Sequence, residues 1–289
     1  MQIGWHGYCF CVLTDSVTVI KIYLTVVIYE LNPRGFNRSF VMLKGLYNAA
    51  SGMLAQIRKM DVITNNLANS SSTGYKGDIT YFDLSSAIGK QPPGIQLASQ
   101  FLSNSPVLFM RHSTDFSPGD LQKTDNPLDI ALKGSGFFVV QTPNGIRYTR
   151  NGNFSRNSQS QLVTANGFPV LGQKGVPIFI NGRDIEINTL GEVFVDGQQI
   201  DTLRIADFSP PNVLNKEGNG LFKLIDATVQ ENPATGVQVC QGFLENSNVS
   251  PVTMMAELIE TMRGYEAYQK VIHLFDETLE KMNNEVGQV

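Results

Sequence analysis

The sequence predicts an α+β fold: a central antiparallel β-rich domain between long N- and C-terminal helices that pair as a coiled-coil-like element. Three observations predict it. An apolar stripe at helical spacing opens the main body of the chain, short apolar runs between Gly and Asn turns fill the middle, and a second stripe with near-heptad spacing closes it. A helix with a single apolar stripe is unstable alone in water, so burying the two stripes against each other is economical and leaves any surplus seam for other copies.

The first stripe runs through Leu46, Ala50, Met53, Ile57, Met60, Ile63 and Leu67, in steps of three and four, which predicts a helix from Leu43 to Ala68. It stops at Asn69-Ser70-Ser71-Ser72-Thr73-Gly74, a run of turn-favouring residues. Within Asn65-Asn66-Leu67-Ala68-Asn69 two readings stand together. The asparagines set the register of a helical seam, or Asn69 sits near the helix C-cap.

From Asp83 to Thr124 the periodicity fades and Pro92-Pro93-Gly94, Ser105-Pro106 and Ser117-Pro118-Gly119 punctuate the chain, which reads as linker or irregular extended structure. After it come strand-like runs at 128–132, 137–141, 146–149, 162–165, 168–171, 176–180, 185–187, 192–195, 203–208 and 237–240. Turns such as Asn144-Gly145, Asn151-Gly152 and Asn166-Gly167 supply the positive φ that tight hairpins require. This spacing favours a sandwich or irregular barrel over any βαβ layout. In the pair Phe137-Phe138, one ring is expected in the core and the other against a neighbouring strand or subunit.

The closing stripe steps through Met255, Leu258, Met262 and Tyr265, then Tyr268, Ile272, Phe275, Leu279 and Met282, a seam in two phases. The domain boundaries follow: an extension over 1–41, the first helix within 42–82, a linker over 83–124, the β-rich domain over 125–241 and the closing helix within 242–289. In the extension, the apolar run from Val17 to Leu31 is broken by Lys21 and falls short of the ~20 residues of a membrane span. No basic stretch precedes it, as a secretory signal would need. Met42, directly before the first helix, therefore reads as the initiator, with a β-hairpin or anchor as the alternative for the preceding residues.

A net charge of -4 with 17% charged residues excludes a basic nucleic-acid binder. Cys9, Cys11 and Cys240 are too few for a disulfide framework and wrongly spaced for zinc, and His6, His112 and His273 lie far apart. Gly218-Asn219-Gly220 lacks the third glycine of a dinucleotide loop, and there is neither a phosphate-binding loop nor a nucleophile elbow. Asp184 and Glu186 read as a solvated strand edge. No catalytic, cofactor-binding or metal residue is expected. An extracellular β-rich adhesin or binding module explains the centre, but leaves both terminal seams without purpose.

Ser51-Gly52-Met53 and the stretch from Asp61-Val62-Ile63-Thr64-Asn65-Asn66 to Gly74-Tyr75-Lys76 resemble the amino-terminal signature of flagellar rod and hook proteins. Asn126-Pro127-Leu128-Asp129, Tyr148-Thr149-Arg150-Asn151-Gly152-Asn153-Phe154 and Gln241-Gly242-Phe243-Leu244-Glu245-Asn246-Ser247-Asn248-Val249 are similar to the rest of it, so the likeness covers Met42 onward. Within that family Gly220-Leu221-Phe222 and Ser247 to Val252 look nearest to proximal rod proteins, with distal rod proteins second. Two departures stand out: Gly264 inside the closing helix, and Ser160 where a turn glycine is usual.

The resemblance implies a structural subunit of the flagellar basal-body rod, in the periplasm. Such a subunit is exported without a cleaved signal through transient contact with the export apparatus, and partners itself and other rod and hook subunits. It implies no small-molecule substrate. It also implies an assembly seam, whose candidate residues are Leu46, Met53, Ile57, Met60, Asn65, Asn66, Leu67, Asn69, Met255, Leu258, Met262, Tyr265, Ile272, Phe275 and Leu279.

Overall fold

The computed structural model describes residues 36–83, 109–208, 213–226, 229–234 and 236–286. The run from Val17 to Leu31, with its hairpin-or-anchor reading, lies outside the described residues, as do His6, Cys9 and Cys11. Two long helices bracket a strand-rich region, so the fold is α+β. Helix α1 spans Phe36–Ala68, beginning upstream of Met42, and helix α2 spans Pro251–Val286.

Each helix boundary has a local cause. Asn69, just past α1, donates both its backbone N–H at 3.2 Å and its side-chain amide at 2.8 Å to Asn65 O, closing the last turn of the helix from beyond its end. Proline at the first position of α2 suits a site where an amide hydrogen would have no partner. Gly264 leaves α2 unbroken.

The strands are β1 (Asp78–Asp83), β2 (Phe109–Thr114), β3 (Leu121–Lys123), β4 (Ile130–Lys133), β5 (Phe137–Thr142), β6 (Gly145–Thr149), β7 (Phe154–Arg156), β8 (Leu162–Thr164) and β9 (Ile185–Ile187). They continue as β10 (Glu192–Val195), β11 (Gln198–Thr202), β12 (Ile205–Asp207), β13 (Leu214–Gly218), β14 (Leu221–Leu224), β15 (Asn232–Pro233), β16 (Gln238–Gln241) and β17 (Phe243–Glu245). All named pairings among the described residues are antiparallel. The ladders form one six-stranded sheet in the order β13-β14-β6-β5-β12-β15, a three-stranded sheet β11-β10-β9, and four ribbons: β1-β2, β16-β4, β17-β3 and β7-β8.

Strand β5 divides two apolar clusters. Alternation sends Phe138 and Val140 into one with Ile130, Leu162 and Val170, and Phe137 and Val139 into the other with Tyr148, Phe208 and Phe222. Both rings of the Phe137-Phe138 pair are therefore core, because β5 is covered on both faces. Burying each contributes about 1.5–3 kcal/mol.

The segment read as linker holds β2 and β3. Strand β3 is exposed throughout and pairs with β17, far along the chain, so no local apolar pattern marks it. Conversely, the runs at 168–171 and 176–180 form only isolated bridges such as Val163↔Pro169 and Leu171↔Pro177. Proline has no N–H to continue a ladder at either place. The described residues fall into two compact units: residues 36–50 with 270–286, and the described residues within Ser51–Gln269.

Candidate functional site: a buried joint and two helix faces

Leaving α1, the chain makes a turn in which some polar side chains close the helix end and others fix the strands that follow. Asn66, buried at its end, accepts from Asp78 N at 2.9 Å and donates to Asp78 O at 2.8 Å, holding β1 as a paired strand would. The Tyr75 hydroxyl lies 2.9 Å from Asn65 Oδ1 and 3.1 Å from Asn66 Oδ1. Burial, reinforced by the Asp78 charge, pushes that phenol up to about 12. On the other side Asn248 accepts from Gly77 N at 2.8 Å and donates to Asp115 O at 2.9 Å. The stretch entering α2 is thereby tied to the stretch leaving α1.

At the centre lie three buried charges. Lys76, Glu245 and Arg150 are 0%, 1% and 4% exposed. Lys76 Nζ donates to Glu245 Oε1 at 2.5 Å and to Ser117 O at 2.8 Å. Glu245 Oε1 also accepts from Gly119 N at 3.0 Å, and Oε2 from Arg150 Nη1 at 3.4 Å. Arg150 Nη2 reaches Gly134 O at 2.6 Å, and its guanidinium lies 5.2 Å from the Phe137 ring centre. Burial pushes the Lys76 ammonium below its ordinary range, with Glu245 pulling the other way. The backbones close tightly round this group. Gly74, at φ 66°, leaves no room for a Cβ, which would stand 2.4 Å from Asn151 N, and a Cβ on Gly152 would stand 1.6 Å from Ile130 O.

On the helices, the residues expected to form a seam divide between faces. In α2, Leu258, Tyr265, Ile272 and Phe275 are half-buried and interleave with Met254, Thr261 and Tyr268, whereas Met255, Met262 and Leu279 are about half exposed or more nearly so, at 52%, 46% and 45%. In α1 the buried positions are Ala49, Gly52, Ala55, Ile63 and Asn66. Leu46, Met53, Met60 and Leu67 are half-buried on its flank, Asn69 is half-buried past its end, and Ile57 and Asn65 are exposed. A Cβ on Gly52 would stand 2.5 Å from the Tyr268 ring, one on Gly264 would stand 3.3 Å from the Gln56 amide, and Asn66 Nδ2 lies 4.0 Å from Met254 Sδ. A Cβ on Gly45 would stand 2.7 Å from the Phe275 ring.

Lys76, Arg150 and Glu245 stand within the signature motifs, but no local pattern marks them as a group, since only the fold brings together residues so far apart in the chain. His112 and His273 are exposed, and no group of His, Cys, Asp or Glu among the described residues is arranged to hold a metal ion. Asp184 is exposed, as is Glu186, which pairs with Phe194 in the three-stranded sheet.

Three family profiles match the chain: flagella basal body rod protein over residues 46–76, flagellar hook protein FlgE/F/G D1 domain over 131–195, and flagellar basal body rod FlgEFG protein C-terminal over 241–285. Relatives match along most of its length. Flagellar hook-basal body complex protein FlhO of Bacillus subtilis is 33% identical over 86% of this chain and 100% of its own. The chain belongs to the flagellar basal-body rod protein family.

Flagellar basal-body rod protein FlgF of Caulobacter vibrioides is 34% identical over 80% of this chain and 93% of its own. Flagellar basal-body rod protein FlgG of Buchnera aphidicola is 33% identical over 84% and 99%. The rod protein is of FlgF/FlgG type, a structural subunit of the basal body with no enzymatic role. Nothing in these matches supports the adhesin reading. Each profile contributes one member of the buried charge group: Lys76 ends the first match, Arg150 lies in the second and Glu245 in the third. The three signatures converge on the joint between helices and β region.

Proposed function

We propose that this rod protein polymerises through its terminal helices, which pair antiparallel as a coiled-coil-like element, and passes torque from motor to hook. The observation that carries the reading is a shared register. From Gly52 to Gln56 α1 advances four residues while its partners in α2 step back four, from Tyr268 to Gly264, and Asn66 meets Met254 in the same register. Contacts that keep one antiparallel register over about four turns are what a side-by-side, coiled-coil-like pair requires.

The side chains outside that seam remain for neighbouring subunits, and an identical contact repeated without closure yields a helical filament. Load taken up by the helices would reach the β region through Lys76, Arg150 and Glu245. Assembly in the periplasm would follow export without a cleaved signal, by transient contact with the export apparatus, and other rod and hook subunits would complete the set of partners.

Leu258→Asp tests this reading. It places a carboxylate in the seam, where an unpaired buried charge is costly. Rod assembly and motility should be lost while the β region stays folded; cells that swim normally with this variant would refute the assembly role.

A further inference from the structure

The seam leaves one apolar stripe on α2 uncovered. Val252, Met255, Ile259 and Met262 recur at steps of three and four on the side away from Thr261, and are 77%, 52%, 55% and 46% exposed. On α1 the face opposite Gly52 and Ile63 carries Leu54 and Ile57, 55% and 36% exposed, with Arg58 and Asp61 beside them. We propose that these two faces bind each other between copies: the outer face of α1 in one subunit covers the outer stripe of α2 in a second copy, antiparallel. This rests on the assembly reading above and specifies its contact.

Charge selects the occupant. Helix α1 carries four basic residues and one acidic, a net +3, and α2 carries seven acidic and three basic, a net -4. Contacts of α1 with α1, or α2 with α2, set like charges together, whereas α1 on α2 does not. The order of charges also selects the direction. Arg58 and Asp61 lie three residues apart on α1, and on α2 Arg263 and Glu266 lie three apart. Only an antiparallel approach pairs Arg58 with Glu266 and Asp61 with Arg263 at once. Among the described residues none of these four has an ion-pair partner inside the subunit, so the complementarity is unspent.

Filament symmetry agrees with that direction. Copies related by rotation about a common axis and translation along it keep their helices pointing the same way, so α1 of one copy meets α2 of the next antiparallel whenever the two are antiparallel within one copy. The contact joins two different faces, so repeated with a translation along the axis it continues as an open helix rather than a closed pair. Apolar residues would supply most of the affinity, and the charges the register.

The test counts this chain in basal bodies purified from cells making full-length variants at matched levels. Arg58→Glu or Glu266→Arg alone should lower incorporation about tenfold, as like charges now face each other, and both together in one chain should restore it to within about threefold of wild type. Both side chains are exposed, and restoration by the double variant itself excludes misfolding of either single one. Single reversals that incorporate as wild type would overturn the surface. Single reversals that both fail, with no restoration in the double variant, would overturn a second copy as the occupant. If Leu258→Asp still blocks assembly in those cases, the assembly reading survives without this contact; if the wild-type chain is absent from basal bodies, it is that reading which fails.

Discussion

Replacing Gly52 by alanine sets two effects of opposite sign against each other. In an isolated helix the change removes a poor helix former and adds a good one, a gain of about 1 kcal/mol. In the structure the new Cβ would stand 2.5 Å from the Tyr268 ring, well inside van der Waals contact. The ring must move or the helices separate, and forcing a methyl into a packed interior costs about 1–3 kcal/mol. A displaced aromatic side chain also forfeits its own burial, so a net loss of about 1–2 kcal/mol is expected, equal to a fall in melting temperature of about 2–8 °C for a chain of this size. Thermal unfolding of the purified subunit by circular dichroism measures it. Combining Gly52→Ala with Tyr268→Ala should recover the alanine's gain, and the coupling across that double-mutant cycle reports the contact directly. Gly264→Ala is the matched control. Its Cβ would meet the mobile amide of Gln56 at 3.3 Å, so there the helix propensity should win and stability rise by about 0.5–1 kcal/mol. A Gly52→Ala variant that melts higher than wild type would show that α1 does not press on α2 at this position.

Three further outcomes follow from the joint and the turns. Glu245→Gln leaves Lys76 and Arg150 buried without a negative partner and should cost about 3–5 kcal/mol in chemical denaturation; a loss below about 1 kcal/mol would show that other groups neutralise them. Ser160 holds φ at 59°, a conformation side chains resist, so Ser160→Gly should stabilise the protein by about 0.5–1 kcal/mol in the same assay, and a loss of stability would contradict it. Tyr75 has a folded pKa raised from 10.0 to about 12, so it favours the folded state below pH 10 and that contribution disappears as pH rises from 10 through 12. Urea midpoints should fall across this window in the wild type and less steeply in Tyr75→Phe; parallel declines would remove Tyr75 as the cause.

The parts legible in the sequence were those written in local pattern. Turn chemistry at Asn144-Gly145 and Asn166-Gly167 marked real reversals, and short apolar runs between turn signals marked β5 and β10. Where pairing is non-local, pattern was silent: β3 shows no buried face and exists because β17 lies alongside it. On α1 the most hydrophobic stripe, through Leu46, Met53 and Met60, lies on the flank, while the most buried positions are largely small ones, Ala49, Gly52 and Ala55. Periodicity reports that a helix is amphipathic; which face is covered depends on the shape of what covers it. Aromatic rings at Tyr268 and Phe275 need small residues opposite, so the hydrophobic maximum and the packing face differ in phase.

By itself the sequence determined the element order, the fold class, and the kinship with rod proteins, because propensity, turn residues and signature motifs are properties of short stretches read in order. The tertiary structure alone decided that Lys76, Arg150 and Glu245 form one buried group, that Asn66 clamps the backbone of Asp78, and that the residues along α2 divide into a half-buried face and an exposed one. The physical reason is that a buried charge is stable only when an opposite charge and hydrogen-bond partners surround it, and for Lys76 that partner comes from 169 residues further along the chain, which no local pattern encodes.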